Sequence, residues 1–303
     1  MISRMERARG TLGIIGASGF LGSELAHHAQ KNGWDVCGFS RQARTPEEWI
    51  PEWRAWNDLP DFSGIAALVN LAGESIAQRW TDSNKEKFHT SRIGTTLIVQ
   101  RGIAALPEEQ RPKVLVNGSA VGIYGDQGDT LLQEDAILGS DYLARLCQEW
   151  EAAAHAIGKL GVRIVKWRTG VVLGSEGEAF KKMVLPFRIG VGGRLGSGKQ
   201  WMPWIHVHDL AAGILHAVEH PSMAGQVNGS APEPERNIDF TRKLARALNR
   251  PAVFPVPRFA LKLLLGDFGD AILASQRAVP EALLESGFRF RYPTLDQALE
   301  ELI

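Results

Sequence analysis

The chain has 303 residues with 34 Lys and Arg against 34 Asp and Glu, so its formal charge is zero, and hydrophobic residues make up 44% of it. That balance excludes a disordered chain, which needs low hydrophobicity and a large net charge, and it offers no basic surplus for neutralising nucleic-acid phosphates. Two cysteines, Cys37 and Cys147, are too few for a disulfide framework or a zinc cage and fit a reducing compartment.

In chain order, the lead-in Met1–Gly10 is basic but lacks the apolar stretch of a secretory signal, and it reads as a frayed approach to the first strand. Leu12–Ile15 reads as a strand. Phe20–Lys31 has helical spacing through Leu21, Leu25 and Ala29. Trp34–Phe39 and Ile65–Leu71 are further strands, and the Trp-rich loop between them (Trp49, Trp53, Trp56) holds another short one. Lys113–Asn117 and Val162–Trp167 follow, separated by helices near Lys85–Ala105 and Ser140–Lys159. Strands that are apolar throughout and alternate with helices predict an α/β fold with a Rossmann-like, doubly wound parallel sheet. After Gly174 the composition changes: Gly190–Gly198 carries five glycines, His206–His220 and Ile238–Leu248 read as helices, and Ala231–Arg236 reads as a turn. The expected organisation is a Rossmann-like domain over residues 1–175, to which part of 200–230 returns. A smaller lobe with a C-terminal helical module takes residues 176–303.

The strongest motif is Gly16-Ala17-Ser18-Gly19-Phe20-Leu21-Gly22, a G-x-x-G-x-x-G between the first strand and the first helix. A tight turn that leaves free N–H groups at a helix N-terminus is what a pyrophosphate requires, so Gly16, Ser18, Gly19, Phe20 and Leu21 are expected to bind a dinucleotide. At the end of the second strand an acidic residue would accept the ribose hydroxyls of NAD. This chain instead has Ser40-Arg41 and, further on, Arg44, and an arginine fork suits the 2′-phosphate of NADP. The other reading of these arginines is solvated loop charge. The loop after the apolar strand Ile65–Leu71 brings Leu71, Ala72 and Gly73 to the same edge, where small residues let backbone approach the cofactor, and Glu74 follows as a substrate candidate.

With these pieces the chain resembles the extended short-chain dehydrogenase/reductases. The resemblance rests on the glycine motif, Asn70-Leu71-Ala72-Gly73, Ser119–Gly125, Arg168–Gly174 and Trp204–Leu210, in the family's order. The chain is most similar to the nucleoside-diphosphate-sugar epimerase-like branch, with which it shares Trp80, Cys147-Gln148-Glu149-Trp150-Glu151 and a C-terminal module over Pro251–Ile303. The resemblance implies NADP as cofactor and a substrate lobe. It also implies a Tyr-x-x-x-Lys on the helix after the Ser strand, with Tyr as acid/base. Anchored on Glu151, the Lys position is Cys147 and the Tyr position is Leu143; anchored on Tyr124-Gly125, the catalytic hydroxyl falls at Ala120, one residue after Ser119. The remaining catalytic candidates are therefore Ser119, Tyr142 and Cys147. Each has a plainer alternative: a cap hydroxyl for Ser119, a face turned about 100° away for Tyr142, and a small buried hydrophobe for Cys147.

Two further constellations need weighing. His206-Val207-His208-Asp209 reads as two histidines on one side of a strand, but with Asp209 placed to cap the next helix no metal is expected. Arg188, Arg194 and Lys199 around Gly190–Gly198 either hold an anionic substrate or belong to a solvated loop, and Tyr124 and Arg194 are substrate candidates. The expected function is an NADP-binding, epimerase/dehydratase-like oxidoreductase acting on a small or nucleotide-linked substrate. The alternative is a non-catalytic NADP-binding sensor or scaffold. A small-molecule partner, no nucleic acid, no membrane, a monomeric or homodimeric state and a cytoplasmic location complete the expectations.

Overall fold

Residues 9–303 are described by the computed structural model, so most of the basic lead-in, residues 1–8, lies outside the described part. Seven strands form one parallel sheet: β1 (Thr11–Ile15), β2 (Asp35–Ser40), β3 (Glu52–Ala55), β4 (Ile65–Asn70), β5 (Val114–Ala120), β6 (Arg163–Thr169) and β7 (Gly225–Gly229). Their order across the sheet is β7-β6-β5-β4-β1-β2-β3. The winding direction reverses between β1 and β4, and in such sheets the ligand crevice opens at that switch point, beyond the strand carboxyl ends.

Alternation along the strands builds two apolar layers. Leu12, Ile14, Val69, Val116 and Val165 pack on one face against α1 (Phe20–Lys31). That helix buries Gly22, Leu25, Ala26 and Ala29, one stripe at helical spacing. Ile15, Phe39, Leu68 and Leu115 point to the opposite face. There they meet Val99 and Ile103 of α3 (Thr95–Ala104) and Ile157 of α4 (Tyr142–Ile157). The helix read near Lys85–Ala105 is three consecutive segments: α2 (Asp82–His89), a π-helical turn at Thr90–Gly94, and α3. Burying each large side chain in these layers contributes on the order of 1.5–3 kcal/mol.

The second half follows with α5 (Glu178–Arg188), α6 (Val207–Glu219), α7 (Asn237–Ala247), α8 (Arg258–Leu265), α9 (Asp267–Ile272), α10 (Glu281–Glu285) and α11 (Leu295–Leu302). Leu173, Phe180, Trp204, Phe240, Leu244, Leu295 and Leu299 form its own core. α6 returns to the large sheet with Leu210, Ala211 and Ile214, and leads into β7, a strand absent from the sequence reading. α5 is also additional, and its Pro186 stands in the last turn. Ala231–Arg236, read as a turn, ends in a two-residue strand, Glu235–Arg236, paired with Trp201–Met202.

The reading of residues 206–209 needs correcting. His206 ends a short strand (Trp204–His206) and His208 already lies in α6, so the two do not share a strand face. The cap of α6 is His206, whose Nδ1 accepts the N–H of His208 at 3.1 Å. Asp209 instead accepts the N–H groups of Arg291 and Tyr292, both at 2.8 Å. Its donors come from the far end of the chain, which local pattern cannot reveal.

Candidate functional site

Gly16 leaves β1 with φ +85°, and a Cβ there would stand 3.1 Å from the Ala72 nitrogen. Glycine is therefore required both by the left-handed turn and by the approach of the β4 loop. The N–H of Gly19 donates to the Gly16 carbonyl at 3.0 Å, and a Cβ on Gly22 would collide with that same oxygen. Gly19 is the N-cap of α1 and no side chain caps the helix, so the first-turn N–H groups at Phe20 and Leu21 are left for an outside acceptor. Ser18 and Gly19 are exposed at the mouth of the turn. Unsatisfied donors and the positive end of the helix dipole together make an anion cradle.

At the end of β2 the Ser40 hydroxyl accepts the N–H of Gln42 at 3.2 Å. The two arginines differ. Arg44 is engaged, paired with Glu47 at 3.3 Å and stacked 5.0 Å from the Trp53 ring. Arg41 is exposed and makes no hydrogen bond or ion pair among the described residues. A free fork at the strand end, with no carboxylate in the Ser40–Arg44 segment, fits a ribose 2′-phosphate. The loop on the other side is held by Asn70, fully buried, whose side chain donates to Asn117 at 2.8 Å and accepts the Ala72 N–H at 3.2 Å. Leu71 and Ala72 thereby face Gly16 as a fixed wall, with Gly73 following. The Glu74 N–H donates to the Ser91 hydroxyl at 2.9 Å, while its residue is exposed.

Helix α4 lies along β5 with three residues one turn apart. Leu143 packs on Gly122, where a Cβ would stand 2.5 Å from its Cδ2. Cys147 reaches the backbone of Ala120. Glu151 accepts the Ser119 hydroxyl at 2.8 Å. Cys147 is buried among Val121, Ile123 and Leu132, and that burial pushes its thiol up to about 12, so it carries no charge at neutral pH. Ser119 is neither a helix cap nor free. Tyr142, one residue from the turn that faces β5, points instead to Trp80 at 5.2 Å between ring centres, and its hydroxyl donates to the Lys85 carbonyl at 3.3 Å. Phe268 of α9 closes over the same Trp80 at 5.8 Å.

Behind Ser119 lies a buried charge pair. Arg168 donates through Nε and Nη2 to the two oxygens of Glu151, at 2.7 and 3.0 Å. It also donates through Nη1 to the Tyr124 hydroxyl at 2.8 Å, and that hydroxyl donates to Asn228 at 2.8 Å. Tyr124 is thus fully buried with its hydroxyl occupied, and the structure gives it a bracing place rather than the substrate contact expected of it. Arg194 donates to the Gly196 carbonyl at 2.7 Å and braces its own glycine loop.

Three charged residues escaped the sequence reading. Glu151 served only to align the helix, and Arg168 stood in a strand of otherwise apolar or half-buried positions, where a charge needs a buried partner. Arg92 lies against Gly73. The poor helix formers around it, Thr90, Ser91, Gly94, Thr95 and Thr96, were its available signal.

Comparison with known proteins places this geometry. Residues 12–228 match the NAD dependent epimerase/dehydratase family, and residues 256–302 match a domain of unknown function (DUF1731). The chain is 39% identical to the epimerase family protein YfhF of Bacillus subtilis, over 96% of this chain and 97% of that one. It is 37% identical to the chloroplastic epimerase family protein SDR39U1 homolog of Arabidopsis thaliana, over 100% and 89% of the two chains. The crystal structure of human epimerase family protein SDR39U1 with NADPH superposes with a TM-score of 0.89 at 33% identity, covering 96% of this chain and 98% of that one. UDP-N-acetylglucosamine 4-epimerase from Bacillus cereus shares the fold, with a TM-score of 0.75 at 15% identity.

Proposed function

The chain belongs to the NAD dependent epimerase/dehydratase family, and on that premise we propose that it is an NADP-dependent oxidoreductase or epimerase acting on a small or nucleotide-linked substrate. The observation that carries the cofactor is the uncapped N-terminus of α1 behind Gly16, with Arg41 free at the end of β2. The crystal structure of the human relative with NADPH supports the same cofactor. When bound, NADPH supplies a hydride at its nicotinamide. The chain's own residues would bind its pyrophosphate on the turn at Gly16–Leu21, meet its 2′-phosphate with Arg41, and wall the cofactor crevice with Leu71–Gly73. Residues 1–175, with part of 200–230 returning to them, would form the cofactor domain, and residues 176–303 the substrate lobe and C-terminal helical module. We place the protein in the cytoplasm, as a monomer or homodimer. Two free, buried cysteines support that compartment, and among the described residues no helix is long and apolar enough to cross a membrane.

A second reading has its own support. Leu143 and Cys147 stand where the acid/base pair of relatives would be, and the Ser119 hydroxyl is spent on Glu151. This favours a protein that kept the cofactor site and lost the chemistry, a sensor or scaffold. Absorbance at 340 nm with NADPH across a panel of carbonyl compounds, together with NMR analysis of nucleotide sugars incubated with the protein and NADP+ (an epimerase returns its hydride and leaves no net absorbance change), tests the choice. Turnover of any one supports the enzyme. Tight NADPH binding with no turnover across the panel supports the sensor.

A further inference from the structure

The π-helical turn at Thr90–Gly94 interrupts an otherwise continuous α-helix, and such widened turns concentrate at functional sites. Arg92 stands inside it. Its guanidinium lies over the Trp150 ring at 5.3 Å, and a Cβ on Gly73 would be only 3.2 Å from its Cζ. It is therefore fixed directly behind the loop that walls the cofactor crevice.

Its partners are all neutral. Nη2 donates to the Glu74 carbonyl at 3.0 Å, and Nη1 reaches the Phe88 carbonyl at 3.4 Å and the Ser91 hydroxyl at 3.5 Å. Among the described residues no carboxylate forms an ion pair with it. The titratable groups nearest to it offer no counter-charge either: burial pushes the Cys147 thiol up to about 12 and raises the Tyr142 phenol. The exposed Glu74 carboxylate forms no ion pair with the guanidinium and acts on it only at a distance. Burial also pulls Arg92 below the ordinary guanidinium value. Arg168, buried more completely, is answered by both oxygens of Glu151. A guanidinium that cannot lose its proton, half-buried and hydrogen-bonded only to neutral acceptors, is matched by an anion from outside the chain.

We propose that Arg92 is a specificity residue that holds a carboxylate or similar oxyanion of the small-molecule substrate beside Gly73. This inference rests on the NADP reading above and names the substrate class for it. The planar fork presents paired N–H donors that a carboxylate matches with two oxygens, and a neutral amide does not. Arg92 thereby supplies a positive charge that the buried Cys147, at the position of the expected lysine, does not.

Calorimetry on the NADPH-bound protein tests the inference, with oxalate, malonate, acetate and benzoate as probes and oxamide as the neutral counterpart of oxalate. At least one carboxylate should bind wild type in preference to oxamide. Arg92→Met and Arg92→Gln should weaken that binding about 10- to 100-fold, the range of a charge-assisted contact. Arg92→Lys should retain part of it, and NADPH affinity should stay within about threefold of wild type in all three, since the contact lies outside the cofactor cradle. Three results would overturn it: no carboxylate binding to wild type that binds NADPH, equal carboxylate binding by wild type and Arg92→Met, or a loss confined to NADPH affinity, which would make Arg92 only a brace for the Glu74 carbonyl. Failure of wild type to bind NADPH would overturn the cofactor reading itself.

Discussion

Ser119 donates its hydroxyl to Glu151 at 2.8 Å, on a carboxylate whose two oxygens are already held by Arg168. Glu151 and Arg168 are 6% and 1% exposed, so the pair is desolvated and survives only complete. Glu151→Ala leaves a buried guanidinium unanswered and should cost about 3–5 kcal/mol, whereas Ser119→Ala removes one hydrogen bond and should cost about 1 kcal/mol. Urea denaturation of both variants measures the difference. Equal losses would show that the ion pair between α4 and β6 adds nothing beyond the Ser119 hydrogen bond.

Cofactor choice turns on Arg41, the arginine at the end of β2 that none of the described residues engages. NADPH should bind more tightly than NADH. Arg41→Ala should remove most of that preference, about 1.5–3 kcal/mol for a charge-assisted contact. Calorimetry with both nucleotides decides it, and equal wild-type affinities would refute the assignment. Arg44→Ala should matter less, because Glu47 and Trp53 already hold that side chain.

Tyr142→Phe should leave any turnover nearly unchanged. Its hydroxyl is tied to the Lys85 carbonyl, and its ring belongs to the cluster around Trp80 and Phe268. General acid–base groups contribute roughly 10²–10⁴-fold, so a loss above about a hundredfold with intact NADPH binding would restore a conventional tyrosine mechanism.

Stability should fall as the medium is acidified. Burial holds His206 below its ordinary value of 6.5, against an opposing pull from Glu301 at 2.9 Å. Asp209 and His208 also face it, with opposite effects. His28 and His216 are lowered by burial too. A depressed folded value means the unfolded chain takes up protons first. The contribution is therefore present above pH 6.5 and lost as pH falls through the folded value. Melting temperatures between pH 8 and 5 should show the decline, and His206→Asn, which keeps a cap acceptor, should flatten it. An unchanged slope in that variant would remove His206 from the account.

Local pattern carried much of this molecule. Phe20–Lys31 is a helix with the boundaries its spacing indicates, since Gly19 and Asn32 end it chemically. β7 was invisible because Gly-Gln-Val-Asn-Gly has one large apolar residue and becomes a strand only by pairing with β6. Pro186 masked α5, although a proline in the last turn disturbs little of the helix before it. The glycine cradle was legible because its chemistry is contiguous. Arg92, Glu151 and Arg168 were not, because what distinguishes a charged residue on a solvated face from one in a buried site is a partner, or the lack of one, tens of residues away.

Asp209 has a further consequence for how this chain is put together. The two family matches meet at a gap between residues 228 and 256, which reads on paper as a seam. Yet this carboxylate, 1% exposed, belongs to the first segment, and both of its donors, the amides of Arg291 and Tyr292, belong to the second. Ala278 likewise pairs with Leu132 across that gap. The final fifty residues are thus less an added piece than the missing half of a lock whose other half was laid down eighty residues earlier, and the seam in the text has no counterpart in the solid.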